Sequence, residues 1–345
     1  MNPASATPAT RPRELLAAAR AGDPEAFRGL VEPHRGELHA HCYRMLGSLH
    51  DAEDTVQETL LRAWRRLGDF AERGSFRSWL YTIATNACLD ALRRPRRLLP
   101  TGYGPAADPR EGPGEPLVES QWIEPYPDAR LDLGDEHAAP ESRYELRESV
   151  ELAFVAALQH LPARQRAALI LRDVLGFSAP EIAESLATSA AAVNSAVQRA
   201  REAVERQLPD QSQQATLNAL GDYRVRGIVD RWIAAWERSD VDAVVAMLTE
   251  DVTFTMPPMP TWYRGRDAVA AFLAAWPLRS RWRFVPIRVN GQLAFATYSW
   301  DASRGTHVAH ALDVLTLRGE RACEVTAFVA PEVFPNFGLP RELTT

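Results

Sequence analysis

Apolar residues between positions 12 and 97 recur at intervals of three and four, the period of a helix that buries one stripe. In DAEDTVQETLLRAWRRLGDF the stripe is Ala52, Val56, Leu60, Ala63 and Leu67. Asp51 is the expected N-cap there, with Asp54 three residues on as an acidic variant of the capping box. In SFRSWLYTIATNACLDALRRPRRLLP the stripe is Phe76, Leu80, Ile83, Ala84, Ala87 and Ala91, and Pro95 is expected to end the helix because it has no amide hydrogen to donate. The helical pattern returns from 143 to 208. Ile182, Ala183 and Leu186 belong to a short helix, ATS at 187 to 189 supplies a turn and a hydroxyl cap, and Ala190, Val193, Val197, Ala200 and Val204 face inward on the next helix. This is helix-turn-helix spacing.

Residues 98 to 142 are crowded with Pro and Gly, follow neither period, and read as an extended linker. A short polar break, QLPDQSQQATLNALGD, follows residue 206. Beyond it, 222 to 276 looks helical with a strand in DVTFTM, and WRFVPIRVN, QLAFATYSW, HVAHALDVLTL and ERACEVTAFV look like consecutive strands. The expected protein is multidomain, with all-α domains at 12–97 and 143–208 and an α+β domain at 222–345.

Composition changes this picture little. The 345 residues are 46% hydrophobic and 24% charged, which suits folded domains, and no apolar run is long enough to span a membrane. MNPASATPATRPR lacks the apolar middle of a signal peptide, so the cytoplasm is the expected compartment. Cys42, Cys88 and Cys323 show no paired spacing, and His39, His41 and Cys42 point apart on a helix, so neither a disulfide framework, a metal site nor a cofactor is suggested.

Charge changes it more. The formal net charge of -6 argues against nucleic acid, but residues 101 to 142 alone hold ten acids and two arginines, while residues 1 to 100 hold fifteen arginines and twelve acids. A local basic face matters more to a phosphate backbone than the net charge. On the second helix, Trp79, Asn86, Asp90, Arg93 and Arg97 share a polar face. A solvated helix end whose arginines complement the macrodipole explains the cations alone. With the aromatic ring added, the face has the chemistry to stack bases and hold the backbone of opened DNA. On the preceding helix, Asp54, Gln57, Glu58, Leu61, Arg62 and Arg65 are left outside, and an outward leucine among charges suits a protein contact. The last helix of the helix-turn-helix presents Ala191, Asn194, Ser195 and Gln198 to a major groove, with Arg199 and Arg201 near phosphates; a helical hairpin without a DNA role is the alternative.

Together, DAEDTVQETLLRAW, SWLYTI and LPARQRAALILRDVLGFSAPEIAESL resemble the two domains of bacterial sigma factors of the extracytoplasmic-function (ECF) group. The resemblance implies a sigma region 2 bundle and a sigma region 4 helix-turn-helix, with core RNA polymerase (β′ coiled coil and β flap) and promoter DNA as partners. It assigns Asp51, Asp54, Gln57, Glu58, Leu61, Arg62 and Arg65 to the polymerase contact. Ser75, Phe76, Arg77, Trp79, Asn86, Asp90, Arg93, Arg94 and Arg97 fall to the minus-10 element. Ser178, Ser189, Ala191, Asn194, Ser195, Gln198, Arg199 and Arg201 fall to the minus-35 element.

The C-terminal third resembles a SnoaL-like domain, a cone with a curved sheet. Met256, Met259, Trp262, Tyr263, Phe272, Trp276, Phe284 and Trp300 are candidates to line its pocket, with an ordinary core as the alternative. Asp313 is the best candidate for a carboxylate base, but it is expected on a solvated face, without a partner. The fusion implies regulation rather than catalysis, by a small ligand of this domain or a separate anti-sigma protein. Trp122, Ile123 and Tyr126 in QWIEPYPD are a candidate docking site for this domain, since they are apolar in a polar segment; packing inside polymerase is the alternative. Two other classes stay open: a ligand-sensing helix-turn-helix regulator, and a SnoaL-like cyclase or isomerase fused to a DNA-binding module.

Overall fold

The computed structural model describes residues 10–71, 74–92, 97–102, 104–117, 122–131, 145 and 147–343. The chain divides into two compact units, Met1–Arg94 with Leu161–Glu202, and Pro95–His160 with Ala203–Thr345.

The first unit is helical. It contains α1 (Thr10–Arg20), α2 (Pro24–Val31), α3 (Arg35–Leu46), α4 (Leu49–Arg65) and α5 (Phe76–Ala91). Every residue of α3 from Leu38 to Leu46 is buried, so this helix is the centre of the bundle. Within it His41 Nε2 lies 2.9 Å from Thr85 Oγ1 while Nδ1 finds no partner, and burial drops the imidazole pKa to about 3, which keeps it neutral. Gly47, at φ 69°, ends α3 in a left-handed conformation, and Ser48 then caps α4 by accepting the Asp51 amide at 3.0 Å. The expected cap at Asp51 is therefore corrected. A hydroxyl three residues earlier takes the role, and α4 starts at Leu49.

The same unit includes α7 (Ala163–Leu169), α8 (Ala179–Ser185) and most of α9 (Ala190–Glu205). Ser178 and Glu181 form a reciprocal capping box at the start of α8. Ala187, at φ 49°, makes the sharp turn, and Ser189 Oγ accepts the Ala192 amide at 3.2 Å. These helices pack on the bundle. Arg166, 3% exposed, donates to the carbonyl of Met45 at the end of α3, and the Tyr81 and Phe177 rings meet edge to face at 5.4 Å.

The second unit contains α6 (Leu152–Gln159), α10 (Gln213–Glu237), α11 (Val241–Ala246), α12 (Arg266–Ala275) and one sheet. Its strands are β1 (Leu248–Thr255), β2 (Trp262–Arg264), β3 (Trp282–Val289), β4 (Gln292–Asp301), β5 (Thr306–Arg318), β6 (Arg321–Phe328) and β7 (Glu342–Leu343), in the order β2-β1-β6-β5-β4-β3 with β7 on β5. All pairs are antiparallel except β1 with β6. Trp232 and Trp236 of α10 pack on the sheet, Trp232 stacking over Phe295 at 6.1 Å. Helix α10 begins inside the segment expected to be a polar break. Ser212 caps it, and the buried Glu151 carboxylate accepts the amides of Gln213 and Gln214 at 3.0 and 2.8 Å, the partners that an N-terminus needs. Gly221, at φ 72°, kinks it.

Candidate functional site

On α4, Asp54, Gln57, Glu58 and Arg65 are exposed and Asp51 is half-buried. Leu61 stands 51% exposed among them. Arg62 ties Glu58 (2.7 Å) to Asp90 of α5 (3.2 Å), which fixes the two helix faces side by side.

On α5, Ser75 serves as N-cap, accepting the Ser78 amide at 3.0 Å. Trp79 is half-buried in an aromatic cluster, 5.3 Å from Phe70 and 5.6 Å from Phe76, so part of its ring surface is packed and part is free. Asn86 is exposed and donates to Thr82 O. Arg77 is committed internally: it pairs with Glu37 at 2.8 Å and lies over the Tyr81 and Phe177 rings at 4.9 and 5.3 Å. Arg93, Arg94 and the expected helix terminator Pro95 lie outside the described residues. In the second unit, Arg97 donates to Trp122 O at 2.9 Å and meets Glu124 at 3.3 Å with 14% of its side chain exposed. Arg77 and Arg97 thus both have partners within the protein.

On the helix-turn-helix, Ser189, Ala191, Asn194, Ser195, Gln198, Arg199 and Arg201 are all exposed, while Val193, Val197, Ala200 and Val204 are buried. Arg201 forms a two-pronged pair with Asp173 at 2.6 and 2.8 Å, and Ser178 is occupied as a cap. Asn194 and Ser195 are adjacent exposed residues of α9.

The cone encloses a cavity of about 310 Å³. Met256, Met259, Phe272, Trp276 and Phe284 line it as expected, joined by Trp236, Phe254 and Trp282; Trp262, Tyr263 and Trp300 do not. Trp262 instead donates its indole hydrogen to Gly104 O, and Trp300 packs on His307. Asp313 is corrected most sharply. It is 4% exposed and lines the cavity, and burial alone raises its pKa to about 7. Thr297 pairs with Ala311 and Tyr298 with Ala309, leaving His310 as an extra residue on β5. That bulge turns His310 to the cavity beside Ala311 and Asp313, which strict alternation would not do.

The linker is bonded to the cone. Trp122, Ile123 and Tyr126 are 8%, 1% and 0% exposed. Asn290 and Gly291, at φ 55° and 69°, form the two-residue turn between β3 and β4, the Asn-Gly hairpin signal that sequence reading passed over. Asn290 Oδ1 accepts the Tyr126 amide at 2.8 Å, its own amide donates to Tyr126 O at 2.8 Å, and its Nδ2 donates to Val150 O at 2.7 Å. Gly291 donates to Asp128 at 2.7 Å, and Pro127 bridges to Val289. The turn therefore holds the chain on both sides of the undescribed stretch 132–144.

Comparison with known proteins places these features. A model of sigma-70 region 2 matches residues 30–98, one of sigma-70 region 4 matches 151–204, and one of a SnoaL-like domain matches 229–325. The chain is 45% identical over 332 residues to the ECF RNA polymerase sigma factor SigG of Mycobacterium tuberculosis, covering 94% of this chain and 86% of SigG. It is 30% identical over 320 residues to SigJ of the same organism, covering 88% and 91%. The crystal structure of SigJ aligns with a TM-score of 0.57 at 26% identity, over 89% of this chain and 97% of that one. The chain belongs to the ECF RNA polymerase sigma factors and carries a SnoaL-like domain after its two sigma regions.

Proposed function

We propose that the two sigma regions, at 12–97 and 143–208, work on core RNA polymerase and promoter DNA in the cytoplasm, while the domain at 222–345 controls them by holding the connector 98–142. The exposed α4 face around Leu61 meets the polymerase β′ coiled coil, the Trp79 face holds the opened minus-10 strand, and Asn194, Ser195 and Gln198 read the minus-35 element. The observation that carries the regulatory part is the bonding of Tyr126, Asp128 and Val150 to the single turn Asn290-Gly291. A connector tied to the cone is restricted in how far it lets the two sigma regions separate, so any state that loosens this tie changes what they can span. Truncation after Asp210 tests it: run-off transcription from a cognate promoter should change, and an unchanged yield would remove the regulatory role.

One observation favours a second reading, the buried Asp313 carboxyl in an apolar cavity, which suits a proton-abstracting base. Such a base needs a donor for the enolate oxygen. The Thr297 hydroxyl beside it is committed to the Ala311 backbone at 3.0 and 3.2 Å. Thr297 is therefore not that donor; His310 and Ser299 line the same cavity, and the bonding of the connector to the domain favours an assignment to control over chemistry. Asp313-dependent turnover of an enolisable ketone by the full chain would reverse that assignment.

A further inference from the structure

The connector also forms part of the cavity wall. Trp262 donates to Gly104 O at 2.9 Å, Ala107 N donates to Trp262 O at 2.9 Å, and Leu117 N donates to Pro258 O at 3.1 Å. Between these ties the chain crosses the cavity. Pro113 lines it, and Gly112, at φ 76°, lies so close to Trp276 that an added Cβ would sit 2.9 Å from the indole. Glycine is required there both by the backbone conformation and by the approach.

The interior is mostly apolar, with few polar groups to orient a ligand. Asp313, His310, Ser280 and Ser299 are its polar side chains apart from the committed Thr297 and the indoles. Among the described residues no donor meets the Asp313 carboxyl, which lines the cavity. Buried polar groups without partners are costly, and a volume of about 310 Å³ lies at the small end of ligand sites. The complementary molecule is uncharged, largely apolar, and carries one N–H or O–H donor for Asp313.

We propose that this cavity binds a small, uncharged, mostly apolar molecule with one hydrogen-bond donor, and that residues 104–117 of the connector are its lid, so that occupancy fastens the connector to the cone. The proposal rests on the regulatory reading above for its consequence but not for its chemistry. Ligand contacts with Pro113 exist only when the lid is down, so binding favours the closed lid by the difference in affinity between the two states.

The probe is N-phenyl-1-naphthylamine, an uncharged two-part aromatic amine with one N–H, whose fluorescence rises in apolar surroundings. It is titrated into the full chain, and lid opening is read by tryptic cleavage after Arg110, whose side chain is 89% exposed. Cleavage after Arg206 is the internal reference. When opening is fast, cleavage tracks the population of the open lid. Saturable fluorescence is expected, with cleavage after Arg110 slowed at least about fivefold and the Arg206 reference unchanged. Ala327→Leu, which adds bulk to the lining, should weaken probe binding at least about tenfold, and Pro113→Gly should reduce the protection while the probe still binds. No saturable binding overturns the site. Binding with unchanged Arg110 cleavage overturns the lid. Protection without any effect of the probe on transcription supports site and lid and instead removes the regulatory reading.

Discussion

Asn290→Ala isolates the bond between connector and cone. The side chain is fully buried, and its amide serves the Tyr126 amide at 2.8 Å and the Val150 carbonyl at 2.7 Å. Alanine leaves both groups buried without these partners, at about 1 to 3 kcal/mol each, so the expected loss from this source is about 2 to 6 kcal/mol. Alanine must also hold φ near 55°, which adds about 1 to 2 kcal/mol. Asn290→Gly removes the same two bonds without the backbone strain, and the difference between the variants measures that strain less the greater unfolded-state entropy of glycine. The backbone bond from residue 290 to Tyr126 O survives in both. The assay is hydrogen exchange of the full chain, reading amides of residues 122–131 against those of the central strands. Exchange in 122–131 should speed up at least about thirtyfold, the equivalent of 2 kcal/mol, with β4 and β5 little changed. A change below about threefold in 122–131 would refute the reasoning, because it would mean that the connector is held by something other than this turn.

Three further outcomes follow from the same geometry. Asp54→Arg with Glu58→Arg should abolish binding to core polymerase while helical content stays, since both side chains are exposed and their ion pairs with His50 and Arg62 are surface pairs worth at most about 1 kcal/mol; unchanged affinity would remove the α4 assignment. Trp79→Ala should cost about 1 to 3 kcal/mol of single-strand stacking, so permanganate footprinting should show a closed bubble with duplex binding nearly intact. Loss of all DNA contacts with a large drop in melting temperature would instead make Trp79 a packing residue only. For Asp313, a folded-state pKa near 7 lies above the unfolded value near 3.8, so its contribution to stability is full below about pH 4 and is lost as pH rises through 7. At 1.36 kcal/mol per pH unit over about three units the swing is at most about 4 kcal/mol, and Asp313→Asn should flatten the urea-stability profile between pH 4 and 7 by that order. An unaltered profile would mean that the carboxyl is not desolvated.

Much of this was legible because its causes are local. The stripes of α4, α5 and α9 follow from side-chain spacing, and β1 and β3 to β6 follow from runs of β-branched and aromatic residues, so each element is encoded within its own window. The errors share the opposite cause. Ser48 displaces Asp51 as cap because Gly47 ends the previous helix one residue earlier, a fact about two helices at once. Helix α10 starts in a polar segment because Glu151, some sixty residues upstream, supplies acceptors for its first amides. The face of Asp313 was read from alternation, but whether that face is wet depends on the closure of the cone, and the bulge at His310 hides its neighbour from any period-two reading. The partners of Arg77 and Arg97 were not legible because Glu37, Phe177 and Glu124 are remote in sequence. The apolar trio in QWIEPYPD was visible as an anomaly of composition, and the Asn-Gly turn that receives it was visible as a hairpin signal. Nothing in the sequence joined the two.

The most direct test of the account is run-off transcription with purified core RNA polymerase on a cognate promoter, comparing the full chain with the chain truncated after Asp210 at matched holoenzyme concentration. The account predicts that both support promoter-dependent initiation and that their yields differ by more than about threefold, because the truncated chain has lost the turn that binds its connector. Equal yields would contradict control by the C-terminal domain, and no promoter-dependent transcript from the full chain would contradict the assignment of the sigma regions.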